Sequence, residues 1–406
     1  MKATVFGLGK VGLPWALFLQ DRGLDVYGVD ANPETVEMIR MGLSPISEPG
    51  VDEALERCPI QATTDPALAL KESEISFIYV PTPETPDKSG LSARIVRSVW
   101  DTILDRVSHG GVGTVPYSVV VCSTLQPGTL EQMWVENDMV DLFYAPPLVA
   151  LGHVMDDQSH PSLQILGARD VSPCLDRVLY MYMDWYSTRV RCLSWTQAEV
   201  AKLSINIELT QKTYRAHEYT VLCDALGVDP VPVLSAMGLD PRIGPTFFKP
   251  GPPPSGPCLP RDVRAMRALM VELGLPFSFL CVAERWRALF ILDVADAVAE
   301  HGQPCLILGM DYKADYSSEG VPSLSRELYR YMEGVGIEAY TAEKPVDEEH
   351  EALLAELLEL CPTVLLMEND LSDYVTSTPE FKGKWILDPW RQLRGKREGD
   401  WICWAG

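Results

Sequence analysis

Apolar positions along this chain come in two rhythms. Residues 2–6 read as a short buried strand. A glycine-rich turn follows, then helical spacing over residues 13–21, then a second strand block at 24–30. That order predicts one βαβ unit, the opening of a doubly wound parallel sheet. Further strand blocks are expected at 75–80, 118–122 and 140–144, with helical stretches between them. Residues 196–226 carry apolar positions at three- and four-residue spacing without an internal Gly or Pro, which predicts one long helix. Gly227-Val228-Asp229-Pro230 ends it. Residues 239–262 are rich in Pro and Gly and read as a fixed loop, and helical spacing resumes from 263 to about 301. Strands at 304–308, 337–340, 363–367 and 385–387, with helices at 323–334 and 348–360, predict a second, smaller α/β domain. The expected architecture is α/β: two Rossmann-like doubly wound domains joined by a central helical domain with a long helix. The expected boundaries are 1–190, 191–300 and 301–406.

Composition narrows the function. The chain has 406 residues, 47% hydrophobic and 22% charged, as ordinary globular proteins do. Its net charge is −23, which argues against nucleic acid and anionic membranes as partners, since both need clustered Lys and Arg. Any anionic ligand must then be held by local donors. Ten scattered cysteines without a CxxC pair, and a strand pattern beginning at once, predict a reduced cytoplasmic protein without a leader. No metal is expected, because the six histidines show no ligand spacing. No apolar run is long enough to predict a membrane span.

The glycine turn carries the first chemistry. Gly7, Gly9 and Gly12 fit GxGxxG directly after a strand. Gly7 permits the tight turn, Gly9 lets backbone approach a pyrophosphate, and Gly12 lets helix pack on strand. Asp30, eighteen residues past Gly12, suits the ribose hydroxyls and would repel a 2′-phosphate. NAD is therefore favoured over NADP. The alternative left open is a glycine turn in a flavin or nucleotide-sugar fold. The second strand–turn, Leu308-Gly309-Met310-Asp311, lacks the full fingerprint and should not hold a dinucleotide in the same way. Pro257-Cys258-Leu259-Pro260-Arg261-Asp262 adds a candidate nucleophile. A thiol beside a nicotinamide site permits removal of four electrons, because it can hold an aldehyde covalently. A lone cysteine is more often a small buried hydrophobe. Asp262 falls one turn beyond Cys258 if a helix starts there, and Lys202 and Asn206 are four apart on the long helix.

Taken in order, residues 6–14, 28–30, Ser44-Pro45-Ile46-Ser47-Glu48-Pro49-Gly50, Val80-Pro81-Thr82-Pro83, Ser123-Thr124-Leu125-Gln126-Pro127-Gly128-Thr129, and residues 198–206, 238–251 and 258–264 carry a resemblance. The chain resembles the UDP-glucose/GDP-mannose dehydrogenase family over nearly its full length. That resemblance implies an NAD-dependent nucleotide-sugar 6-dehydrogenase, homodimeric through its central domain. It implies Cys258 as the nucleophile that traps a C6 aldehyde, Asp262 as the carboxylate assisting a water, and Lys202 and Asn206 as balancing or orienting an oxyanion. It implies cofactor contacts from Gly7, Gly9, Val11, Gly12, Asp30, Thr82 and Thr124, with Thr124 also near the reacting water. It implies substrate contacts from Arg242, Phe247, Phe248, Lys249 and Lys313; core packing remains the competing reading for the two phenylalanines.

Four departures from the family pattern stand out. Pro147 occupies the place of a glutamate often assigned to thioester hydrolysis, and Leu151 that of a second. Pro253-Pro254-Ser255-Gly256-Pro257 replaces a glycine-rich loop, so backbone donors are lost. No arginine follows the second turn's lysine within residues 317–322. Three outcomes stay open: four-electron oxidation to an acid, two-electron oxidation releasing an aldehyde or ketone, and nucleotide-sugar binding without catalysis.

Overall fold

The computed structural model describes all residues except 89, 114–115, 187–188, 276–279, 312–321, 394–400 and 403–406, and gives 401–402 as backbone. The chain divides into two compact units, Met1–Ile205 and Asn206–Gly406. The division falls inside a single helix, Trp195–Ala225.

The first unit is built on eight strands: β1 (Lys2–Phe6), β2 (Asp25–Val29), β3 (Gln61–Thr63), β4 (Ile75–Ile78), β5 (Tyr117–Val121), β6 (Val140–Tyr144), β7 (Gln164–Gly167) and β8 (Val190–Leu193). They lie in the order β3-β2-β1-β4-β5-β6-β7-β8. The first six are parallel in the doubly wound order, so the chain reverses direction across the sheet between β1 and β4. β7 turns antiparallel against β6. The central strands are buried on both faces and mostly apolar, as strands covered on both sides are. One core layer packs Trp15, Phe18, Tyr182 and Trp185 on one face, and another packs Trp100, Ile103 and Trp195 on the other.

The second unit carries β9 (Cys305–Leu308), β10 (Ala339–Ala342), β11 (Thr363–Leu366), β12 (Trp385–Leu387) and β13 (Trp401–Ile402). All are parallel, in the order β10-β9-β11-β12-β13, so this sheet reverses between β9 and β11. Helices Leu280–His301 and Leu324–Gly334 supply one core layer, and Glu348–Leu360 the other.

The expected long helix is present over Trp195–Ala225. The expected helix from 263 to 301 is two helices, Leu259–Glu272 and Leu280–His301. Gly274 takes φ +70 and the Leu275 N–H bonds back to the Met270 carbonyl at 2.8 Å, which closes the first helix. The fixed loop is correspondingly shorter, since 259–262 are helical.

Candidate functional site

Gly7 ends β1 with φ +90 and donates its N–H to the Val29 carbonyl at 2.8 Å. A Cβ there would sit 2.8 Å from the Tyr79 carbonyl oxygen. A Cβ on Gly12 would sit 1.9 Å from the Gly7 oxygen, where no side chain fits. Gly9 differs, because a Cβ there would meet nothing within 4 Å. Two glycines are thus required by the fold, while the third leaves room. The helix Gly12–Asp21 starts immediately and aims its N-terminus at that room. Val11 is its N-cap, and the Val11 carbonyl accepts from Gln158 Nε2 at 3.0 Å. Asp30 is held from both sides: Leu8 N–H donates to Oδ2 at 2.8 Å and Asn32 N–H to Oδ1 at 2.9 Å. Glu48, from the 44–50 segment, accepts from the Gly152 and Val154 N–H groups at 3.1 and 2.9 Å. Burial lowers the pKa of Lys10, which Glu48's charge partly opposes.

Two loops beyond β4 and β5 are stitched together. Thr82 Oγ1 donates to the Thr124 carbonyl at 2.7 Å, and Ser123 Oγ donates to the Val80 carbonyl at 2.7 Å. Gln126 Oε1 accepts from Leu91 N–H at 3.0 Å. Glu199, fully buried on the long helix, accepts from Gly128 N–H at 2.6 Å and Leu130 N–H at 2.9 Å. Burial pushes its carboxyl up to about 7. Glu199 was not singled out from the sequence, because nothing local marks partners about seventy residues away. Lys202 lies three residues further along the same helix and is buried.

In the second unit, Cys258 is exposed and stands as N-cap of the Leu259–Glu272 helix. Its carbonyl accepts from Asp262 N–H at 2.9 Å, so the expected helical turn between them exists. Asp262 is 0% exposed. Asn206 Nδ2 donates to its Oδ2 at 2.6 Å, and Arg261 donates to Oδ1 through Nε at 2.9 Å and Nη2 at 2.7 Å. Arg242 is 87% exposed and paired with Asp240 at 2.6 Å. Phe247 is exposed with φ +60, whereas Phe248 is buried with Ala216 and Leu234, its ring 6.3 Å from Tyr219. Lys249 is exposed. Lys313 lies outside the described residues.

The second sheet carries a turn of the same kind. Gly309 has φ +94 and donates to the Ala342 carbonyl at 2.9 Å, and Met310 N–H donates to Glu343 Oε1 at 2.9 Å. A Cβ on Gly309 would sit 2.7 Å from Glu368 Cβ. Ser325 Oγ donates to the Gly309 carbonyl at 2.8 Å, and Ser323 Oγ to that of Met310 at 2.6 Å. Burial, then the charges of Asp311 and Glu368, push Glu343 up to about 7.

The topology of the first sheet, room at Gly9 and an oriented Asp30 define a dinucleotide-binding α/β protein carrying a second doubly wound domain. The residues present fit an adenine dinucleotide with a free ribose 2′-hydroxyl. Residues 1–186 match the NAD binding domain of the UDP-glucose/GDP-mannose dehydrogenase family, and residues 196–286 match that family's central domain. The chain belongs to this family, and NAD is its cofactor. It is 28% identical over 335 residues to a GDP-mannose 6-dehydrogenase of Pseudomonas savastanoi pv. phaseolicola, covering 77% of this chain and 74% of the relative. It is 28% identical over 292 residues to the UDP-glucose 6-dehydrogenase AglM of Haloferax volcanii, covering 66% and 65%. The solved UDP-glucose dehydrogenase of the archaeon Pyrobaculum islandicum shares the fold with a TM-score of 0.83 at 24% identity, over 100% of this chain and 97% of that one. Among the described residues no helix is long and apolar enough to cross a membrane.

Proposed function

We propose that this protein oxidises the C6 alcohol of a nucleotide sugar to the carboxylate, with two NAD consumed per substrate. The observation that carries this reading is Cys258, exposed at a helix N-cap with the Asn206–Asp262–Arg261 network one turn beyond it. Gly7, Gly9, Val11, Gly12, Asp30, Thr82 and Thr124 would hold NAD, which would supply the hydride acceptor for each of the two oxidations. The first oxidation gives an aldehyde at C6. The Cys258 sulfur adds to that carbon, and its proton ends on the new hydroxyl. The second oxidation removes the C6 hydrogen and the hydroxyl proton and leaves a thioester. Water adds to the thioester, the acid departs and the thiol is restored. A helix N-terminus favours the thiolate needed for addition. Lys202 balances charge on the C6 oxygen, and Asn206 hydrogen-bonds it. Asp262, with both oxygens engaged, holds Asn206 in one orientation. Arg242, Phe247 and Lys249, with Lys313 on the family resemblance alone, are assigned to the sugar nucleotide, and Phe248 supports the 242–249 loop by packing.

A second reading is a two-electron enzyme that releases an aldehyde or ketone. It draws on Pro147 standing where the family has a glutamate, and on both oxygens of Asp262 being engaged by Asn206 and Arg261. NADH formed per substrate separates the two, a ratio of two for the first and one for the second. The test is a screen of UDP- and GDP-sugars with that ratio measured, repeated on Cys258→Ser. The variant is expected to form no acid; undiminished acid output would sink the covalent route.

The domain boundaries are assigned to 1–190, 191–300 and 301–406. Exposed Leu222, Leu226, Val228 and Val231 at the end of the long helix and just beyond support a homodimer. The nine cysteines among the described residues form no disulfide, which supports a reducing, cytoplasmic setting.

A further inference from the structure

The loop that delivers Cys258 cannot brace itself. Pro250, Pro252, Pro253, Pro254 and Pro257 carry no N–H, so the segment has few donors of its own. Its anchors come from outside. His217 Nδ1 lies 3.2 Å from the Gly251 carbonyl; Gly256 N–H donates to the Pro322 carbonyl at 3.1 Å; Leu324 N–H donates to Ser255 Oγ at 2.8 Å. The fourth anchor is ionic. Arg287, on the Leu280–His301 helix and 17% exposed, donates through Nη1 to the Pro254 carbonyl at 2.6 Å. Its Nε donates to Glu327 Oε2 at 2.9 Å, and Nη2 contacts the same oxygen. Glu327 lies on the Leu324–Gly334 helix, whose neighbours Ser323 and Ser325 hold the Gly309–Met310 turn.

We propose that Arg287 is a positioning residue for Cys258, fixing the nucleophile's loop to the helix that also holds the second sheet's glycine turn. Three guanidinium donors converge on two acceptors from different elements. A lysine has one nitrogen and cannot serve both in the same geometry. This inference rests on the reading of Cys258 as nucleophile, yet it can be tested without turnover. Alkylation of the full-length protein by iodoacetamide is followed peptide by peptide, with exposed Cys192 in the first unit as the internal standard. In Arg287→Ala the Cys258 rate relative to Cys192 is expected to fall about fivefold, as the thiol leaves its place at the helix N-terminus. In turnover assays kcat is expected to fall about 100-fold, with KM for NAD unchanged. Arg287→Lys should fall between wild type and Arg287→Ala. A folded Arg287→Ala with an unchanged alkylation ratio and kcat overturns the proposal. If that variant does not fold, Glu327→Gln and Ser255→Ala decide, and unchanged alkylation ratios in both overturn it. If wild-type protein makes no NADH from any nucleotide sugar, the Proposed function fails while the alkylation ratio still decides the role of Arg287.

Discussion

The two sheets of this molecule use one backbone device in different surroundings. Gly7 and Gly309 both leave the first strand of a doubly wound sheet at positive φ and bond back to the second strand. In both, the next residue's N–H takes a carboxylate from the end of that second strand, Asp30 or Glu343. The sequels differ. After Gly7 the helix begins five residues on, at Gly12, with room at Gly9 for a phosphate against its N-terminus. After Gly309 the next helix among the described residues begins at Leu324. Glu343 shares its surroundings with Asp311 and Glu368 and holds its proton to about 7. The lesson is that a glycine turn and a strand-end acid make a general frame. A helix starting close behind the turn, with room at Gly9, suits the first frame to a pyrophosphate.

The largest test of that contrast is at the glycines. Gly12→Ala places a Cβ 1.9 Å from the Gly7 oxygen, so NAD affinity is expected to fall about 100-fold with stability lowered by about 3 kcal/mol. Gly9→Ala meets no protein atom within 4 Å, so its melting temperature should match wild type while NAD binding weakens about tenfold. Calorimetric titration and thermal melts read both. Equal loss of stability in the two variants would break the distinction between fold glycine and ligand glycine.

Asp30→Asn comes next. Its hydrogen bonds from Leu8 and Asn32 can persist in part, but the charge that opposes a 2′-phosphate is gone. The ratio of kcat/KM for NAD to that for NADP is expected to drop about tenfold or more. An unchanged ratio would detach cofactor choice from this carboxylate.

The smallest effect belongs to the second turn. Folded protein keeps the Glu343 proton to about 7, whereas an unfolded glutamate releases it near 4.5. The folded state therefore binds more protons across that window, and stability falls as pH rises through it. Glu343→Gln should raise the melting temperature by about 2 °C near pH 8 and have less effect near pH 5, a modest gain because the group is partly solvated. A gain that shrinks as pH rises would contradict the crowding of Asp311 and Glu368 against it.

Legibility followed distance along the chain. The first turn could be read because its glycines and acid sit at fixed short spacings. The long helix could be read because one periodicity runs through it unbroken. The break after Glu272 was missed because apolar spacing continues across Gly274, and only its positive φ ends the helix. β3 has three residues, too few to carry an alternation. Glu199 could not be found because its partners, Gly128 and Leu130, are remote in sequence.

By itself the sequence determined the βαβ opening, NAD as the cofactor and the family, since each depends on residue types at short, regular intervals. Tertiary structure alone decided that both oxygens of Asp262 are engaged by Asn206 and Arg261, that Phe248 is core, and that Arg287 bonds to the proline-rich loop. Hydrogen-bond saturation and burial are set by which distant segments meet, and only the folded chain brings those segments together.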